Sequence, residues 1–148
     1  MNNKGFTVVE LIAAFSITMV ISIFLFELLL EVKDIFVETS IKTNIEEKTA
    51  IISKNINNLF TEENNIIVNC NNNICTINGN QITINNDNIV IKNQKFTMPK
   101  DGDETIKITN TPIENMKLGN EGYVKVQFSL TSPNLSKPYE YNVVFYYN

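Results

Sequence analysis

Arginine and histidine are absent from this chain, and its twelve basic residues are all lysines. Set against sixteen acidic residues, they leave a net charge of −4. Phosphate contacts rest on Lys and Arg, so direct nucleic-acid binding is not expected. The missing imidazole removes the commonest general base and metal ligand. No Ser-based nucleophile motif, phosphate loop or metal-ligand cluster offsets that loss. The sequence therefore supports neither an enzyme nor a cofactor. The carboxylate pairs Glu46-Glu47 and Glu62-Glu63 read as solvated helix faces.

Proline and glycine are scarce, and neither occurs between Phe6 and Phe60. Nothing local would stop a helix over that stretch. Cysteine is limited to Cys70 and Cys75. Two cysteines without histidine leave a zinc site short of ligands. Their spacing, enclosing "NNNI", suits a small loop or hairpin clip. A disulfide is the favoured reading and two free thiols the alternative. In an oxidising exterior such a short closed loop would contribute ~2 kcal/mol by chain entropy.

Asparagine is abundant, with 24 copies interspersed among Ile and Val at strand spacing. The Asn clusters read as turns rather than a prion-like tract. Residues 11 to 26, "LIAAFSITMVISIFLF", carry no charge. A helix from Phe6 to Leu30 would extend ~37 Å, enough to cross a hydrocarbon layer of ~30 Å. Helical spacing persists beyond it. Val37, Ile41, Ile45, Ile52, Ile56 and Leu59 form one stripe, with Lys42, Glu46, Glu47, Lys54 and Asn57 opposite. One helix is expected from about Phe6 to Phe60, apolar all round in its first half and amphipathic in its second.

From Asn64 the period turns toward two. "NIIVNC", "ICTI", "QITI", "NIVI" and "KFTM" read as short antiparallel strands, separated by "NNN", "NGN", "NND" and "NQ". Asn78-Gly79 is the strongest turn signal. "KDGDE", residues 100 to 104, reads as a solvated loop. Its Asp101, Asp103 and Glu104 do not meet the EF-hand calcium pattern. In "YVKVQFSL", Val124, Val126, Phe128 and Leu130 share a face. In "YEYNVVFYY", Tyr139, Tyr141, Val143, Phe145 and Tyr147 do. "TSPNLSKP" joins these two strands as a long hairpin loop and contains the short Asn134-Leu135-Ser136 sequon. Tyr139, Tyr141, Tyr146 and Tyr147 could form a contact surface, although alternation assigns half of such a strand to the core. The expected fold is α+β: a long N-terminal helix whose second half packs on an antiparallel sheet.

The N-terminal segment carries the functional meaning. A secretory signal would have a short apolar region and a small-residue cleavage site, and neither is present. An uncleaved anchor fits the length but leaves Glu10 unexplained. Lysines flank both sides, Lys4 before the span and Lys33 and Lys42 after it, and hardly fix its orientation. "KGFTVVEL", residues 4 to 11, resembles the cleavage and methylation signal of type IV prepilins and type II secretion pseudopilins. The resemblance covers about the first 30 residues.

It implies a leader of residues 1–5 with Lys4 as its charge. A prepilin peptidase would cut after Gly5 and leave an N-methylated Phe6. Glu10 would become the assembly carboxylate, pairing with the amine of a neighbouring subunit. Residues 6–30 would form the transmembrane and filament-core half of the helix, 31–62 its amphipathic half, and 63–148 an extracytoplasmic β domain. The implied partners are other pilin subunits, the peptidase, a membrane assembly platform, and the bilayer before assembly. Many major pilins have a helix-kinking Pro at the position of Glu27. Its absence here, with no disulfide near the C-terminus, points toward a minor pilin or pseudopilin. A tethered or pilus-tip surface binding module is the competing expectation from a different class.

Overall fold

The computed structural model describes residues 7–61, 66–71, 73–109, 113–118 and 121–147. The expected processing residues Lys4, Gly5 and Phe6 lie outside the described residues, as does the Glu62-Glu63 pair. One helix, α1, runs over Val8–Thr61. Packing divides the chain into two units, Met1–Val37 and Glu38–Asn148.

In the first unit every described residue from Thr7 to Phe36 is exposed. These include Leu11, Ile12, Phe15, Val20, Phe24 and Leu29. No Gly or Pro interrupts the helix over this stretch. It is long and apolar enough to cross a membrane.

The second unit is an α+β body. On α1, Ile41, Ile45, Thr49, Ile52, Ile56, Leu59 and Phe60 are buried. Thr49 fills the step that the apolar stripe lacks. Its buried hydroxyl is satisfied by the Glu46 carbonyl, 3.1 Å away. Each fully buried Ile or Leu on this stripe contributes roughly 1.5–3 kcal/mol.

Strands β1 (Val68–Asn71), β2 (Ile74–Ile77), β3 (Asn80–Ile84), β4 (Asn88–Ile91) and β5 (Gln94–Thr97) form an antiparallel meander in that spatial order. The β2–β3 turn has φ of 50° at Asn78 and 78° at Gly79, the two positive values a tight hairpin demands. The β4–β5 turn is Lys92-Asn93, also at positive φ, one residue before the Asn93-Gln94 turn expected from sequence.

Residues 100 to 104 are not a simple loop. They form the hairpin β6 (Lys100–Asp101) and β7 (Glu104–Thr105), closed at Gly102 with φ of 63°. Two further strands depart from the expectation, β8 (Lys107–Thr109) and β9 (Ile113–Leu118). Both pair antiparallel with β10 (Glu121–Thr131) on the edge away from β11 (Tyr139–Tyr147). Val124, Val126, Phe128 and Leu130 of β10 are completely buried. Tyr141 stacks on Phe128 with ring centroids 4.4 Å apart. Phe60, in the last turn of α1, stacks on Phe145 at 5.6 Å and on Tyr147 at 6.0 Å.

Gly122 is required by packing. It pairs with Tyr147, and a Cβ built there would lie 2.5 Å from that ring's Cζ and hydroxyl oxygen. The ring passes over Gly122 and donates its hydroxyl to Asn115 Oδ1 on β9, at 2.8 Å.

Candidate functional site at the helix N-terminus

Thr7 and Glu10 start α1 as a capping box. The Thr7 carbonyl accepts the first described intrahelical bond, from Leu11 N at 3.1 Å, which makes Thr7 the N-cap. Its hydroxyl accepts from Glu10 N at 3.3 Å. In return Glu10 Oε2 accepts from Thr7 N and from Thr7 Oγ1, both at 2.9 Å. Donors that would otherwise be orphaned at the helix start are thereby satisfied reciprocally. The Thr-x-x-Glu spacing that signals this arrangement was present in the sequence. The carboxylate is therefore positioned by its own first turn and remains exposed at the head of the apolar span.

Further along the span, Ser16, Thr18 and Ser22 donate their hydroxyls to the carbonyls of Ile12, Ala14 and Thr18, each at 2.8 Å. Hydroxyls satisfied within one helix suit a segment surrounded by hydrocarbon. Glu27 is exposed at the far end of the strongest apolar run, and Glu31, Lys33 and Asp34 follow it, exposed as well.

The remaining sequence candidates are dispersed over the second unit. Cys70 and Cys75 are cross-strand partners on β1 and β2 and are joined by a disulfide. Asp101 is engaged in hydrogen bonds. Its carboxylate accepts from Ser132 Oγ, from Asn134 Nδ2 at 2.7 Å and from Asn134 N at 3.2 Å. These bonds tie the β6–β7 hairpin to the β10–β11 connection, and first Ser132, then Asn134, hold the carboxyl below its usual range. Among the described residues no group of three or more His, Cys, Asp or Glu is placed to hold a metal ion.

The sequon residues are engaged too. Asn134 serves Asp101, and Ser136 donates to Glu38 Oε1 at 2.6 Å. Glu38 also pairs with Lys42 at 2.7 Å. Lys42 first and Ser136 second lower the carboxyl's pKa. The four candidate tyrosines do not form one surface. Tyr141 and Tyr147 are buried, Tyr139 is half-buried, and Tyr146 is 77% exposed.

Two contacts had no local signal. Ser53 of α1 and Tyr141 of β11 share a hydrogen bond 88 positions apart in sequence. Burial pushes the Tyr141 phenol above its ordinary range, although the Ser53 bond opposes the shift. On the opposite face of that sheet, Tyr146 lies against Tyr123 at 6.2 Å, and the Tyr123 hydroxyl reaches Met116 Sδ at 3.5 Å.

The described architecture is that of an α+β protein with one exposed apolar N-terminal helix of membrane-spanning length. Compared with known proteins, the chain matches no family model, no curated protein sequence and no solved structure.

Proposed function

We propose that this chain is a single-span membrane precursor, cut after Gly5 and N-methylated on Phe6, that serves as a minor pilin or pseudopilin in a type IV pilus-like filament. The observation that carries this reading is that "KGFTVVEL" runs into the first turn of an exposed apolar helix. An acid within a span costs ~2.5–3.5 kcal/mol at the bilayer centre and less toward a helix end. The capping box offsets part of that cost in a single chain. A neighbouring subunit's charged amine would supply the remainder in an assembled filament, because opposite charges attract strongly where water is excluded. Glu10 is then an assembly residue that sets axial register. The span would bundle in the filament core, and the second unit would face outward. The prepilin peptidase and the membrane assembly platform are the implied partners.

The test is the mass of the N-terminal peptide of the protein isolated from its native cells. A peptide beginning with N-methylated Phe6 is the expected result. An intact Met1 would refute processing.

A second reading, a membrane-tethered or pilus-tip binding module, is favoured by one feature. Met116, Tyr123 and Tyr146 line an open cleft of about 180 Å³ on the sheet face away from α1. Sheared filaments distinguish the readings: a minor subunit is present but scarce, and an uncleaved tethered module is absent.

A further inference from the structure

We propose that the outer edge of β11 is a docking site for β11 of a second copy of this chain, paired antiparallel with Val143 opposite Val143. The inference concerns the second unit alone and does not rest on the filament reading.

Strand β11 is the end member of its sheet, in the order β11-β10-β8 with β9 also on β10. In an antiparallel strand, alternate residues direct their N–H and C=O groups to one neighbour and the rest point the other way. Here β10 takes one set. Among the described residues no backbone or side-chain partner meets the other set. Folded proteins usually protect such an edge by keeping it short, by Lys or Pro, by a bulge, or by a covering segment. The other edges follow that practice. β5, at the open end of the meander, has four residues including Lys95. β8 has three. β1, at the other end, is approached by β9, whose Asn115 donates to the Val68 carbonyl at 3.3 Å.

Strand β11 is different. It is nine residues long, "YEYNVVFYY", with no lysine and no proline. Its register with β10 runs unbroken from Gly122↔Tyr147 to Leu130↔Tyr139, without a bulge. Lys137 and Pro138 stand just before it rather than within it.

A second copy is the occupant that the sequence of β11 fits. Pairing about Val143 opposes Tyr141 to the second copy's Phe145 and Tyr139 to its Tyr147 on the face that packs on α1. On the other face it opposes Asn142 to Val144 and Glu140 to Tyr146. Aromatic and β-branched residues then lie across from one another, a favourable class of cross-strand pair. Glu140, the single charge on the strand, meets no like charge. Its carboxylate already accepts from Ser129 Oγ at 2.9 Å. Val144 and Tyr146 are exposed at 37% and 77%, so the pairing also covers apolar surface that the single chain leaves open.

The experiment is sedimentation equilibrium of the full chain in detergent micelles over a concentration series. It compares the wild type with the Asn142→Lys/Val144→Lys double variant. Both positions are exposed, so the fold is retained. The proposed register sets Lys against Lys twice per dimer, and the dimer Kd should rise about tenfold. Mixing that variant with Asn142→Glu/Val144→Glu should restore a heterodimer. Val143→Cys should cross-link between copies under mild oxidation. A monomeric wild type, an edge that captures only an extended peptide or another protein's strand, or a dimer unmoved by the lysines would overturn the proposal. That last outcome, without a Val143→Cys cross-link, assigns association to the apolar helix.

Discussion

Replacing Gly122 by alanine tests the packing at the α1–sheet junction. The new Cβ would lie 2.5 Å from Tyr147 Cζ and Oη and 2.9 Å from Cε2, against a comfortable carbon–carbon separation of ~3.5–4.0 Å. The ring has to move by about 1 Å, and it is held in two ways. It stacks on Phe60 with an interplanar angle of 18°, and it donates to Asn115 Oδ1. Overpacking of this kind costs ~1–3 kcal/mol. Loss of the stack adds ~0.5–1.5 kcal/mol and loss of the hydrogen bond a similar amount, but the three overlap because one ring movement causes them all. We expect Gly122→Ala to destabilise the second unit by about 2 kcal/mol, and Tyr147→Phe, which keeps the stack, by about 1 kcal/mol. Urea unfolding of the full chain in detergent, followed by tyrosine near-UV circular dichroism, measures both, since no tryptophan interferes. The decisive control is Gly122→Ala in a Tyr147→Ala background. With the ring gone the substitution should be neutral or slightly stabilising, because alanine loses less backbone entropy than glycine. An equal penalty in both backgrounds, or none in the wild type, refutes the ring as the reason for the glycine.

Four further outcomes are expected. Glu10→Gln keeps the capping box, which accepts Gln, but removes the charge. It should be processed and membrane-inserted normally yet enter filaments poorly, and normal incorporation on immunoblots of sheared filaments would contradict an assembly role. Replacing Cys70 and Cys75 by serine should lower stability by at most about 2 kcal/mol, because the loop closed by a bridge of sequence separation 5 is short and restricts the unfolded chain little; urea midpoints measure it. Asp101 has a lowered folded pKa, so its contribution is present above the unfolded aspartate value and is lost as pH falls through the folded one. Asp101→Asn should flatten the acid limb of a stability–pH profile, and an unchanged limb would show the latch to be inert. Tyr141 has a raised folded pKa, so stability should fall as pH rises through the tyrosine range. Ultraviolet titration should find the Tyr141 phenol ionising late, and Tyr141→Phe should abolish that step.

Periodicity explains what was legible in the sequence. The apolar stripe of α1, the five meander strands and the inward faces of β10 and β11 follow 3.6- or 2-residue repeats strong enough to read locally. Strands β6, β7 and β8 are only two or three residues long, and neither "KIT" nor the longer "IENMKL" of β9 shows a long apolar alternation. β8 and β9 are strands by their pairing with β10, and β6 and β7 by their pairing with each other, not by propensity. Ser53–Tyr141, the Asp101 latch and Glu38–Ser136 join distant positions, so no local window encodes them. The Thr7–Glu10 box is the reverse case. Its Thr-x-x-Glu spacing is legible, but only the hydrogen bonds of the first turn assign Glu10 a capping role.

The stack of Phe60 on Phe145 and Tyr147 also sets an order of events during synthesis. Residues of α1 leave the ribosome long before the strand that shields them. Until residues 139–147 have emerged, the lower turns of the helix keep Phe60 uncovered and Ser53 without its phenol partner. A contact network of such high sequence separation closes late and slowly. The growing chain therefore carries a bare apolar helix face for most of its translation, and that interval is when a holdase or an adjacent membrane surface has the greatest opportunity to engage it.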